Sequence, residues 1–234
     1  MMRKLIIAST STVYGSGYLE YILPELENFF QEVEEVVFIP YARPGGISHD
    51  EYTAIAQKGF ARINKKIVGL HTFKDPEKAL KKAEAVFTGG GNTFLLVTQL
   101  YKLKLMPVLR ERIYEGMRYF GTSAGANITG LTMQTTNDMP IVYPPSFKTL
   151  GAVPFNINPH YIDPVEGAKH MGETRETRIK EFHKINTEPV IGLREGSWLE
   201  VTGDRIVLKG TYKARVFEQN KVPYEIVRGS VVEL

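Results

Sequence analysis

Cysteine is missing altogether from the 234-residue sequence, and its absence removes whole classes of chemistry. Disulfide scaffolds, thiolate zinc sites, iron–sulfur clusters and cysteine nucleophiles are all excluded. Long apolar runs are missing too. No window approaches the ~20 apolar residues of a transmembrane helix, so no membrane partner is expected. The N-terminal Met1-Met2-Arg3-Lys4-Leu5-Ile6-Ile7-Ala8 begins like a secretory signal, but only Leu5 to Ala8 are apolar before Ser9, Thr10, Ser11 and Thr12. A signal needs roughly 7–15 apolar residues there. The segment therefore reads as a buried first strand and the protein as cytoplasmic, although the lack of cysteine suits any compartment.

Charge of one sign is also scarce. The formal net charge is +3, too small over this length to indicate nucleic-acid binding. The densest basic cluster, Lys78, Lys81 and Lys82, is offset by Glu77 and Glu84 and reads as a solvated helix face. There is no H-E-x-x-H, and His170 with Glu173 offers at most two ligands on a charged helix. No metal, cofactor or nucleic acid is expected. Hydrophobic residues make up 43% and charged residues 24%, which is ordinary for a globular chain and excludes disorder. With no linker, repeat or low-complexity stretch, residues 1–234 read as one domain.

What is present is an alternation of short apolar runs with longer amphipathic stretches. Leu5 to Ala8, Val36 to Ile39, Lys66 to Leu70, Ala85 to Thr88 and Met117 to Phe120 read as strands. Helices are expected over Gly17 to Phe30, Glu51 to Ile63, Asp75-Pro76 to Ala83, Thr93 to Glu115, and from Ala124 onward. Strands that are apolar throughout belong in a sheet covered on both faces, and strand–helix repetition requires parallel pairing with right-handed crossovers. The fold class is therefore α/β with a mostly parallel central sheet. Further on, Pro189 to Leu193 is another buried strand. Trp198 to Val201 and Arg205 to Leu208 flank Thr202-Gly203-Asp204 as a hairpin. Tyr212 to Phe217 and Tyr224 to Val227 continue as an antiparallel C-terminal extension.

Ligands of open parallel sheets bind beyond the carboxyl ends of the strands. There, Gly121-Thr122-Ser123-Ala124-Gly125 matches G-x-S-x-G, the nucleophile elbow. The turn from strand to helix is too tight for side chains at the glycines, and it presents the Ser123 hydroxyl in a strained conformation. The Ala124 amide, at a helix N-terminus, can donate to a developing oxyanion. Small residues at such a turn also occur for packing alone. Gly89-Gly90-Gly91-Asn92-Thr93-Phe94 lacks the third glycine of a dinucleotide fingerprint and the Gly-Lys-Ser/Thr of a P-loop. Its exposed amides suit a second oxyanion donor; the bland alternative is a flexible turn into a helix.

A serine nucleophile needs a base, and there are five histidines: His49, His71, His160, His170 and His183. His160 closes the short apolar segment Asn156-Ile157-Asn158-Pro159, where a strand-end loop would place it at the functional edge. His170 and His183 flank the charged helical stretch Thr174 to Phe182 and read as solvated. His49 and His71 lie near loop or strand ends without a partner pattern. The base in turn needs a carboxylate, and two candidates compete. Glu195 follows the strand Pro189 to Leu193, while Asp138 lies among Thr135, Thr136 and Asn137 and would serve equally as a turn or cap residue.

These residues resemble a known family, peptidase E, the α-aspartyl dipeptidases among serine peptidases related to class I glutamine amidotransferases. The markers run in order along nearly the whole chain: Phe38-Ile39-Pro40-Tyr41-Ala42, Gly89 to Phe94, Ser123-Ala124-Gly125-Ala126-Asn127, Thr136 to Val142, Ile157-Asn158-Pro159-His160, Gly172-Glu173-Thr174-Arg175 and Gly192-Leu193-Arg194-Glu195-Gly196. The resemblance implies a three-layer sandwich of the amidotransferase-like, flavodoxin-like type and a serine hydrolase that takes Asp-X dipeptides. It implies Ser123 as nucleophile, His160 as base, Glu195 or Asp138 as acid, and the amides of Gly91 and Ala124 as oxyanion hole. Arg175, with Asn92, would bind the substrate, since a guanidinium fork suits the aspartyl carboxylate. One departure is Arg194, where proline is expected, which bears on the shape of that loop. Two rivals remain, a cyanophycinase-like hydrolase of β-aspartyl-arginine substrates and a non-catalytic binding module of the same fold. The preferred residue after aspartate, and the choice between monomer and homodimer, are not legible in the sequence.

Overall fold

The computed structural model describes residues 2–164, 167 and 172–234 of the chain. Its larger sheet has seven strands in the order β3-β2-β4-β5-β1-β8-β9. Five of them, β1 (Lys4–Ala8), β2 (Glu35–Ile39), β3 (Lys66–Gly69), β4 (Ala85–Thr88) and β5 (Arg118–Thr122), run parallel. The hairpin β8 (Ser197–Thr202) and β9 (Arg205–Gly210) joins this sheet antiparallel to β1. A second sheet, β11-β10-β7-β6, is built from β6 (Asn156–Pro159), β7 (Val190–Leu193), β10 (Ala214–Phe217) and β11 (Tyr224–Ile226), with β6 and β7 parallel. The C-terminal extension is thus divided: its hairpin lengthens the main sheet and its later strands complete the other.

Successive residues of a strand point to opposite faces, and the two cores follow that rule. Leu5, Ile7, Val37 and Ile39 pack on one side with Leu80 of α3 (Pro76–Lys82), Leu96 and Leu100 of α4 (Thr93–Lys102), Leu109 of α5 (Leu105–Tyr114) and Ile157, Ile191 and Val216 of the second sheet. On the other side Ile6, Val36 and Phe38 pack with Leu26 of α1 (Leu23–Phe29) and Tyr52, Ala56 and Phe60 of α2 (His49–Ala61). This is the expected three-layer α/β arrangement.

Three helix expectations are corrected. The stretch Thr93 to Glu115 is two helices, α4 and α5, broken at Lys104, which takes φ 59°. Pro107 explains the break, because it has no N–H to donate to the Leu103 carbonyl in a continuous helix. The region from Gly17 to Phe30 is helical only from Glu20, first as a single 3-10 turn and then as α1. After the elbow, α6 (Ala124–Asn127) is one turn long. The carbonyls of Ile128, Thr129 and Gly130 accept instead from the amides of Leu150, Ala152 and Gly151, so the ladder is diverted to another part of the chain. Among the described residues, no helix is long and apolar enough to cross a membrane.

Candidate active site

Ser123 stands between β5 and α6 at φ 53° and ψ −111°, a conformation that L-residues rarely adopt. The flanking sequence enforces it. A β-carbon on Gly121 would collide with the Gly125 carbonyl oxygen, and one on Gly125 with that of Thr88. A serine at a helix N-cap ordinarily bonds an amide of its own first turn. Ser123 makes no such bond, so its hydroxyl remains free for another partner. The glycine turn after β4 lies against it, since a β-carbon on Gly90 would come within 2.9 Å of the Ser123 β-carbon. Buried Tyr52 donates to the Gly90 carbonyl at 3.1 Å. Gly91, at φ 143°, could not carry a side chain against the Ala42 carbonyl. Among the described residues, neither the Gly91 nor the Ala124 amide has a hydrogen-bond partner, so both remain free to donate.

The partner of Ser123 comes from the second sheet. His160 follows β6 immediately, and its Nε2 lies 2.8 Å from Ser123 Oγ. On the far side of the ring, Nδ1 lies 2.6 Å from Oε1 of Glu195, in the loop after β7. A carboxylate only accepts, so Nδ1 carries the proton and Nε2 is left to accept from the serine hydroxyl. Because β6 and β7 are parallel neighbours, with Pro159 opposite Leu193, imidazole and carboxylate emerge from the same edge of the sheet. Glu195 is half exposed and forms part of the wall of a 710 Å³ cavity together with Tyr21, Trp198, Tyr212 and Arg228.

Asp138 is elsewhere. Its carboxylate accepts from the Thr93 amide at 2.7 Å, the Thr93 hydroxyl at 2.6 Å and the Thr136 hydroxyl at 3.1 Å. It thereby satisfies the first turn of α4, where a negative charge is also favoured by the helix dipole. Asn92 caps the same helix, accepting from Leu95 N–H while donating to the Met139 carbonyl. Between the two acids left open by the sequence, the geometry brings only Glu195 to His160.

Arg175 opens α7 (Arg175–Phe182), and its guanidinium has no hydrogen-bond partner among the described residues. Partial burial and the charge of Arg178 lower its pKa, and Asp138 opposes them. A cavity of about 320 Å³ lies between this helix start and Ile162-Asp163-Pro164, just past His160. His183, expected on the surface, is buried and bonds the Glu188 carbonyl through Nε2. It closes α7 rather than facing solvent. His170 lies outside the described residues. His71 pairs with Asp50, and His49 packs beside it, lowered in pKa by burial and by that neighbouring imidazole. Among the described residues, no three acidic or histidine side chains converge as a metal site would need.

Sequence reasoning passed over the residues that brace these parts. Asn137 donates to the Pro159 carbonyl at 2.6 Å, and Asn158 donates to Asn137 at 2.7 Å and to the Thr135 carbonyl at 2.8 Å. Arg194, the departure noted above, uses all five of its N–H groups on Asp163, Glu225 and the Lys213 carbonyl. The available signal was polar residues next to strand ends, which does not reveal their partners.

A hydroxyl at the carboxyl edge of a mostly parallel sheet, in a hydrogen-bonded line with an imidazole and a carboxylate from strand ends of a second sheet, defines a serine peptidase of the α/β class. The model of peptidase family S51 matches residues 5–209, and the chain belongs to that family. It is 47% identical over 227 residues to a protein of Streptomyces coelicolor named "Peptidase E", covering 97% of this chain and 92% of that one. It is 45% identical over 219 residues to a Drosophila melanogaster protein named "Probable alpha-aspartyl dipeptidase", covering 92% and 90%. Among solved structures, a peptidase from an acI-B1 Actinobacterium shares the fold with a TM-score of 0.69 at 17% identity, over 100% of this chain and 98% of that one.

Proposed function

We propose that the chain hydrolyses dipeptides with an N-terminal aspartate through an acyl-enzyme on Ser123. The observation that carries this reading is the unbroken line from Ser123 Oγ through the His160 ring to Glu195, at 2.8 and 2.6 Å. His160 Nε2 takes the hydroxyl proton as Oγ attacks the aspartyl carbonyl, and it returns that proton to the leaving amine. Water then reverses the sequence to release aspartate. Glu195 holds the ring in the required tautomer and stabilises the imidazolium. The free amides of Gly91 and Ala124 receive the oxyanion.

Arg175 supplies the charge that selects aspartate. Its guanidinium is unpaired among the described residues, and it lines a small cavity with Ile162-Asp163-Pro164, the segment that follows the base His160. Asn92 contributes by holding the start of α4 beside the glycine turn. The partner is a small peptide, with catalysis in the cytoplasm and no cofactor. Ser123→Ala should lower kcat/KM for Asp-Leu or Asp-p-nitroanilide by roughly 10³-fold or more. Activity near that of the wild type would overturn the reading.

A further inference from the structure

Ser9 lies just past β1 and is wholly buried, and it belongs to none of the groups that touch substrate. Its hydroxyl accepts from the His160 backbone N–H at 2.9 Å and donates to the Leu193 carbonyl at 2.6 Å. Its own amide donates to the Ser197 carbonyl at 3.1 Å. One residue earlier, the Ala8 carbonyl accepts from the Ser123 N–H at 3.1 Å. The end of β1 therefore reaches the backbone of the nucleophile, the backbone of the base, and the strand end two residues before Glu195.

Such ties have work to do because the two sheets are covalently far apart. Ser123 ends a strand of one, whereas His160 and Glu195 follow strands of the other. His160 also adopts φ 54°, which a side-chain-bearing residue holds only when its surroundings demand it. The bond to Ser9 Oγ anchors its N–H, and the next amide, of Tyr161, is anchored on Leu193 O at 3.2 Å. The same hydroxyl thus sets the height of the His160 turn and of the Leu193 strand end against the main sheet.

We propose that Ser9 is a positioning residue that sets the imidazole at bonding distance from Ser123. This inference rests on the assignment of Ser123, His160 and Glu195 made above. Displacing a reacting group by about 1 Å costs up to about 10²-fold in rate, so the loss should fall on kcat rather than on substrate affinity.

The test measures kcat and KM for Asp-Leu in the full chain carrying Ser9→Ala, beside Thr149→Val as a control. Thr149 is also buried and donates its hydroxyl to a backbone carbonyl, that of Gly130 at 2.8 Å, but it touches none of the three residues. Both variants should lower Tm. Only Ser9→Ala should lower kcat, by about 10- to 100-fold with KM within about threefold of the wild type. If Ser9→Ala does not fold, Ser9→Cys, which keeps a weak donor at the same atom, is read in its place with an expected loss of about 3- to 10-fold in kcat. A kcat within about twofold of the wild type, a loss in KM alone, or an equal loss in Thr149→Val would overturn the proposal. Ser123→Ala measured alongside separates the two failures. An active Ser123→Ala removes the assignment itself, whereas an inactive one beside a fully active Ser9→Ala removes only the role of Ser9.

Discussion

Ser123 and His160 both end strands with positive φ, 53° and 54°, yet they are held there by different means. The serine side is made of close backbone contacts within one sheet, with Gly121, Gly125 and Gly90 packed so tightly that no side chain would fit. The titratable groups packed against it, Tyr52 and Tyr119, are buried phenols whose pKa burial raises, so they stay neutral across the working range. The histidine side is made of hydrogen bonds and charge, through Ser9, Asn137, Glu195 and the Arg194 clamp on Asp163 and Glu225. Steric walls tolerate almost no substitution and ignore pH. Polar ties tolerate conservative change but respond to pH and to each lost partner.

The largest effect should come from the polar side. Glu195→Gln should lower kcat by about 10²- to 10⁴-fold with little change in Tm, because it disturbs the tautomer and charge of the base without removing volume. Asp138→Asn should instead act on stability, by about 1–2 kcal/mol, since it weakens the bonds at the start of α4. Steady-state kinetics paired with thermal melts would decide between them, and the reverse ranking would exchange the roles of the two acids. Next comes the steric side. Gly125→Ala should destabilise by about 3 kcal/mol or more, because its β-carbon meets the Thr88 carbonyl oxygen in a place with no room to move. A denaturant midpoint like that of the wild type would show that the elbow is looser than its contacts indicate.

The smallest effect is the most specific to the comparison. Hydrogen bonds from Arg194 hold the Asp163 carboxyl below the usual range; burial raises that of Glu225, but Arg194 and Arg215 outweigh it. A carboxylate with a depressed folded-state pKa stabilises the protein above its unfolded value and loses that contribution as pH falls through the folded one. Below about pH 4, the Tm of the wild type should therefore fall more steeply than that of Arg194→Gln. Because Asp163 is more than half exposed, solvent screening keeps the difference to about 2–4 °C or less. Parallel slopes in melts between pH 3 and about pH 6 would mean that this clamp contributes nothing.

The legible parts of the molecule follow the same division. Ser123 and the glycine turn could be read because strand, tight turn and helix are neighbours in sequence, and glycines in that order have a local steric meaning. The apolar runs gave the parallel strands for the same reason. Pro107 was equally local and marks the break between α4 and α5, although hydrophobic periodicity alone ran the two together. His183 was misread because a charged helix conceals the one face that packs inward. Asp138 and Glu195 remained tied as candidates because one stands among hydrogen-bonding residues and the other just past a strand end, and pairing depends on partners far along the chain.

The sequence by itself determined the α/β class, the elbow serine, the absence of thiol chemistry and the family resemblance, since each rests on local sterics, on composition or on the order of motifs. Only the tertiary structure decided that Glu195 rather than Asp138 faces His160, that the C-terminal strands divide between two sheets, and that Ser9 joins them. Those outcomes depend on which strand ends meet in space. Hydrogen bonds and charges act over a few ångströms regardless of chain separation, so residues 151 and 184 positions apart can share one hydroxyl that no local pattern foretells.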